Sequence, residues 1–280
     1  MKCQRPRLSE SEGNLLAMNR RRALIFFMFL CSAVSAADAQ VFDPAKVGPP
    51  LSGAPAELYL PIGAAPAGAI IVLHGCDGLG PHDRQWARRL SEWGYAALAI
   101  DSFGPRGFKE VCNRGRLVPP EAQARDAFDG SVYLRAAPEV RAQRVGVIGF
   151  SHGGWAVLKA VLSGLARRPS EPAFAAAVAY YPGCELRDLP GAPLETDTLI
   201  LIGDADDWTP AERCARWRNS VQTNGHLLQM KTYPGARHAF DALLPSHYFA
   251  GHYIGQDPAA LADALIETRR FFDERLMSKR

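Results

Sequence analysis

The 280-residue sequence is poor in the features that mark several large protein classes. Its six cysteines form no C-x-x-C pair, which argues against a zinc ribbon or a thioredoxin-like redox site. No internal repeat and no low-complexity tract occurs, so neither a solenoid nor a disordered tail is expected. The apolar run over residues 23–30 is well short of the roughly 20 residues a helix needs to cross a bilayer. A basic excess is missing from most of the chain. Residues 1–39 hold six of the 32 Lys and Arg and three of the 29 Asp and Glu, so residues 40–280 carry 26 of each and no formal net charge. Nucleic acid is therefore not expected as a partner, because its phosphates call for a strong positive field.

What is present begins with a pattern of export. Arg20, Arg21 and Arg22 precede the apolar run, and small residues follow it as far as Ala39. Basic, apolar and small segments in that order read as a secretory signal peptide over residues 1–39. Ala37-Asp38-Ala39 fits the cleavage pattern, with Val34-Ser35-Ala36 as competitor. A retained membrane anchor is the alternative, and the length of the run argues against it. Residues 1–17 do not fit a signal, so translation is expected to start at Met18. The protein is expected to be exported, to the periplasm or the medium, without a stable membrane anchor. Residues 40–55 are rich in Pro, Gly and Ala and read as a leading segment before one domain over residues 56–280. Four cysteines remain in that part, Cys76, Cys112, Cys184 and Cys214. An even number in an exported chain suggests disulfides, and three pairings are open.

Beyond residue 55, short apolar runs alternate with amphipathic stretches. Runs at 69–73, 96–100, 145–148, 176–180, 199–202 and 227–232 read as buried strands. Patterns near the 3.6-residue period predict helices over 81–93, 122–134, 152–166, 212–221 and 258–276. This alternation implies an α/β domain with a mostly parallel sheet covered on both faces. Ligands in such sheets bind beyond the carboxyl ends of the strands.

Chemically useful residues collect at those ends. Gly149-Phe150-Ser151-His152-Gly153-Gly154 follows one strand and opens a helix. A tight strand-to-helix turn with flanking glycines lifts Ser151 out of the sheet as a candidate nucleophile. The other reading of Ser151 is a plain helix cap in a glycine-rich turn. A serine hydroxyl is weak until a base takes its proton. Asp204, Asp206 and Asp207 follow the strand at 199–202, and an acid there can orient a histidine. Asp206 is favoured and Asp207 is the runner-up; the rest are expected to cap the loop. His238 directly follows the last strand and is the candidate base, ahead of His247 and His252. Two backbone donors should face the developing oxyanion. The N–H groups of His152 and of Cys76, on the loop Leu73-His74-Gly75-Cys76-Asp77-Gly78, are the candidates.

With these residues assembled, the sequence resembles the dienelactone hydrolase family from about residue 69 to 272. The resemblance rests on Gly149-Phe150-Ser151-His152-Gly153-Gly154, Asp206-Asp207-Trp208-Thr209-Pro210 and Arg237-His238-Ala239-Phe240. It implies an α/β-hydrolase fold, hydrolysis of a small ester or lactone, no metal and no organic cofactor. The family's nucleophile, acid and base fall on Ser151, Asp206 and His238. One departure matters: the best-known members use a cysteine nucleophile, and serine stands here. Cysteine is partly ionised near neutrality, whereas serine depends on its base. This favours a broader carboxylesterase, an acyl-enzyme forming on Ser151, over dienelactone itself. Lactone or dienelactone hydrolysis is the near alternative, and a non-catalytic binding protein on the same fold is the alternative of another class. In the implied fold the strands ending at Leu73 and Ile100 are neighbours, as are those ending at Tyr180 and Ile202. That implies disulfides Cys76–Cys112 and Cys184–Cys214. Only about 16 residues separate Pro182 from Asp197, an ordinary loop length, so no large cap is expected. The walls of the site are expected from residues 101–119 and from Phe240, His247, Tyr248, Phe249, His252 and Tyr253. Arg237 has no role legible in the sequence.

Overall fold

The computed structural model describes residues 40–42, 54–63, 65–185 and 191–277. The expected signal peptide, with Met18, lies outside these residues, as does most of the leading segment. In chain order the strands are β1 (Gln40–Phe42), β2 (Ala56–Tyr59), β3 (Ala69–Leu73), β4 (Ala96–Ile100), β5 (Val145–Phe150), β6 (Ala176–Tyr180), β7 (Thr198–Gly203), β8 (Leu228–Tyr233), β9 (His247–Phe249) and β10 (His252–Ile254). The helices are α1 (Pro81–Glu92), α2 (Pro120–Ala136), α3 (His152–Ala160), α4 (Ala211–Ser220) and α5 (Pro258–Leu276).

Strands β3 to β7 are buried at every position. Continuous runs of Ala, Val, Ile and Leu have no polar face to turn to water, so they occupy a sheet covered on both sides. The order is β1-β2-β4-β3-β5-β6-β7-β8. Pairing is parallel from β4 to β8, and β1 and β2 join antiparallel at one edge. On one face α2 packs against α3. Tyr95 O–H, just beyond α1, donates to Asp273 of α5 (2.6 Å), and Arg269 of α5 covers Trp93. Trp86 and Leu90, spaced one helical turn apart on α1, are both buried in the core.

Three features depart from the sequence expectation. The helix expected over 152–166 ends at Ala160. There Leu162 pairs with Leu194, and Ser163 N–H donates to Pro193 O (3.0 Å), so the backbone bonds to the segment before β7 instead of to itself. The antiparallel strands β1 and β2 were not anticipated. Neither was the β9–β10 hairpin, in which His252 lies opposite Phe249. It is seated by a bridge from Ile254 to His238 and by Gly255 N–H donating to His238 O (3.0 Å).

Cys76 is bonded to Cys112 (S–S 2.06 Å) and Cys184 to Cys214 (2.08 Å), the pairing that neighbouring strands imply. Among the described residues no helix lies between β6 and β7, and none is long and apolar enough to cross a membrane.

Candidate active site

The turn from β5 into α3 is tight enough to explain its composition. A Cβ on Gly149 would sit 2.2 Å from Gly153 O, and one on Gly153 would sit 2.2 Å from Leu73 O. Only glycine permits both approaches. Between them Ser151 adopts φ 52° and ψ −110°, a backbone that L-residues avoid. Its N–H donates to Tyr180 O (3.0 Å), so the end of β6 holds the strained residue in place. Strain kept at a single polar residue by its surroundings points to function.

His238 Nε2 lies 2.9 Å from Ser151 Oγ, and His238 Nδ1 lies 2.8 Å from Asp206 Oδ2. A carboxylate oxygen only accepts, so Nδ1 carries the proton of the neutral ring and Nε2 accepts the Ser151 hydroxyl hydrogen. Asp206 and His238 are both buried. Asp206 Oδ1 accepts the N–H of Trp208 (2.9 Å) and of Thr209 (2.8 Å), which fixes the carboxylate plane. Thr209 Oγ1 stands 2.8 Å from Asp206 Oδ2 and 3.0 Å from Tyr181 O. Asp207 instead faces His252 at 3.3 Å on the surface. Of the competing aspartates, the fold therefore brings Asp206 to His238.

Cys76 and His152 border a hollow that opens beside Ser151. Among the described residues neither N–H has a protein acceptor. The loop carrying Cys76 is fixed from behind. His74 Nε2 accepts Ser102 N–H (3.1 Å), so its Nδ1–H donates to Gly75 O (2.7 Å). Cys76 O in turn accepts Val111 N–H (2.7 Å). The His152 side chain turns away from the serine. Its Nε2 faces the Gly115 and Val118 carbonyls (2.8 and 3.0 Å) and its Nδ1 faces Gln123 (2.8 Å), which staples the loop after Cys112. Burial lowers its pKa to about 4, although the two carbonyls pull the other way.

A second buried carboxylate lies close by, unannounced in the sequence. Asp241 accepts from Trp86 Nε1–H (2.8 Å) and Tyr181 O–H (2.6 Å), and His82 Nε2 lies 2.9 Å from it. Burial alone would push the His82 pKa down, but the Asp241 carboxylate outweighs it and raises that pKa to about 10. Burial would likewise raise the pKa of Asp241, yet His82 holds it below the ordinary value. Tyr181 joins this cluster to the site, its ring centre 4.7 Å from that of His238.

Ser151 stands between two hollows. One, of about 180 Å³, is bordered by His152, Trp155, Arg213 and both disulfides. The other, of about 430 Å³, is bordered by His82, Tyr181, His238, Leu244, Phe249 and Ile254. Trp208 borders both. The expected walls are only partly those observed. From residues 101–119 only Cys112 and Gly115 border a hollow. His247 and Phe249 line the larger one, whereas Phe240 is fully buried in the core. Tyr248 and Tyr253 face solvent, and His252 stacks on Trp208 with ring centres 4.7 Å apart. Arg237 lies over the Tyr253 ring at 5.2 Å and braces the hairpin from outside. Among the described residues no cluster of three His, Cys, Asp or Glu side chains could hold a metal ion.

The parallel sheet, the strained serine at a strand end and the helices on both faces define an α/β hydrolase. Residues 55–276 match the dienelactone hydrolase family, and the chain belongs to it. It is a carboxylic ester hydrolase. A Bradyrhizobium protein assigned as a 2-oxo-3-(5-oxofuran-2-ylidene)propanoate lactonase is 26% identical over 188 residues, 61% of this chain and 73% of its own. A Methylorubrum extorquens protein assigned as a carboxymethylenebutenolidase is 27% identical over 208 residues, 67% of this chain and 68% of its own. The crystal structure of a Klebsiella pneumoniae protein described as a dienelactone hydrolase has the same fold. It superposes with a TM-score of 0.65 at 23% identity, covering 85% of this chain and 98% of that one.

Proposed function

We propose that the protein cleaves carboxylic esters through an acyl-enzyme on Ser151, with His238 as base and Asp206 orienting it. The observation that carries this reading is the hydrogen-bonded chain from a strained Ser151 through His238 to Asp206. Ser151 Oγ attacks the ester carbonyl carbon while its proton passes to His238 Nε2. The N–H groups of Cys76 and His152 receive the developing oxyanion. Collapse expels the alcohol, whose oxygen takes the proton from His238. Water then attacks the acyl-serine by the same route and releases the acid. Asp206 holds the Nδ1–H tautomer and stabilises the transient imidazolium.

Lactone hydrolysis is a second reading, favoured by the relative assigned as a lactonase. It uses the same steps, except that the alcohol stays tethered to the acid. Export is part of the proposal. It is supported by the two disulfides, which persist in oxidising compartments, and by the signal-like order of residues 1–39.

The test is labelling with a fluorophosphonate followed by turnover of 4-nitrophenyl acetate. Stoichiometric labelling that vanishes in Ser151→Ala, with loss of about 10⁴-fold or more in kcat, is expected. Activity near wild type in Ser151→Ala would overturn the reading.

A further inference from the structure

The two hollows beside Ser151 differ in size, in walls and in which reacting group they border. We infer that they divide the ester, the acyl group entering the small hollow and the alcohol the large one. The preferred substrates are then short-chain acyl esters of bulky apolar alcohols. This inference rests on the acyl-serine reading above.

Direction follows from the proton. In acylation the Oγ–C bond forms, the bond from carbon to the alcohol oxygen breaks, and that oxygen takes the proton held on His238 Nε2. The leaving oxygen must therefore lie on the side of His238, which borders the large hollow. His152, one of the two oxyanion donors, borders the small hollow, and Cys76 borders both. With the carbonyl oxygen turned to those donors and the alcohol turned to His238, the acyl chain is left with the small hollow.

Size agrees with that assignment. The small hollow, at about 180 Å³, is less than half the size of the large one. It is framed by Cys76–Cys112, by Cys184 of the second disulfide and by Trp155, so covalent cross-links oppose its widening. The large hollow, at about 430 Å³, falls within the range of small-molecule sites. Leu243, Leu244 and Phe249 border it and are themselves 44%, 61% and 40% exposed. Side chains of this kind gain from being covered by an apolar ligand.

The test uses two series of unactivated esters with the purified, oxidised protein. The first is ethyl, butyl and hexyl acetate; the second is ethyl acetate, ethyl butanoate and ethyl hexanoate. The leaving groups within the first series have nearly equal acidity, so differences report binding. A rise in kcat/KM of at least tenfold along the first and a fall of at least tenfold along the second are expected. Leu244→Asp should lower kcat/KM for hexyl acetate at least fivefold more than for ethyl acetate. Trp155→Ala should raise the ratio of ethyl hexanoate to ethyl acetate. Opposite trends in the two series, or both variants leaving the two ratios unchanged, would overturn the division. If no ester is turned over, or turnover survives Ser151→Ala, the ester reading itself fails. If Ser151-dependent turnover runs with reversed preference, only the division fails.

Discussion

The two sides of Ser151 are built by different means. The small side is covalent: two disulfides, the stapled loop after Cys112 and the His152 side chain hold it. The large side is held by the buried Asp241 carboxylate and its partners His82, Trp86 and Tyr181, and its rim is a hairpin with no cross-link. The loop carrying Cys112 has a small apolar cluster of Phe103, Val111 and Val118, and the cross-link to Cys76 fixes it further. A wall of Leu, Phe and Ile can pack and still yield to a larger ligand. The difference suggests that one side fixes what is bound and the other adapts to it.

The largest expected effect lies where the sides meet. Asp206→Asn should lower kcat by about 10⁴-fold, because the amide favours the wrong imidazole tautomer. Asp207→Asn, on the surface with His252, should stay within about threefold by comparison with such losses. Steady-state kinetics on 4-nitrophenyl acetate separates the two, and equal losses would remove the distinction between these aspartates.

Next comes the large side. Asp241→Asn removes the buried carboxylate that His82, Trp86 and Tyr181 share and should cost about 3–5 kcal/mol of stability. Urea unfolding followed by tryptophan fluorescence would measure it. A loss below 1 kcal/mol would mean that this carboxylate is not what holds this side.

The small side should lose somewhat less. Replacing Cys184 and Cys214 together by serine should cost about 2–4 kcal/mol. The same change should relax acyl selection, raising kcat/KM for ethyl hexanoate relative to ethyl acetate. The ratio of hexyl to ethyl acetate should not follow it.

The last contrast is in pH, where the two sides have opposite signs. His82 is raised to about 10 by Asp241, with Asp83 also near at 3.7 Å. Its contribution is complete below the ordinary histidine value of 6.5 and is lost as pH rises through about 10. His152 is lowered to about 4 by burial. Its contribution is complete above 6.5 and is lost as pH falls through about 4. Urea midpoints across this range should fall at both ends. His82→Gln should flatten the alkaline limb and His152→Asn the acid limb; an alkaline limb unchanged in His82→Gln would break the contrast.

Much of this protein is legible in its sequence. The strands β3 to β7 are readable because both their faces are buried and the composition is apolar throughout. Ser151 is readable because its glycines answer a local steric demand. The chain order Ser151, Asp206, His238 follows the strand ends, so the candidate site could be assembled before any contact was known. The cysteine pairing was implied only by the family resemblance, through the strand neighbours of that fold. The premature end of α3 was missed: Ser163-Gly164 is a stop signal, with Gly164 at φ 73°, but the partners that complete it, Pro193 and Leu194, are distant in the chain.

The sequence by itself determined the fold class and picked out Ser151 and His238 as candidates from their positions at strand ends. Tertiary structure alone shows which carboxylate reaches His238, Asp206 rather than Asp207. It decided that Phe240 belongs to the core and that Thr209 fixes the acid. It alone brought together His82, Trp86, Tyr181 and Asp241, residues separated by up to 159 positions. Local periodicity encodes which side of an element is apolar. It does not encode which polar side chains from distant elements will share one buried carboxylate, and the large side of the site depends on that.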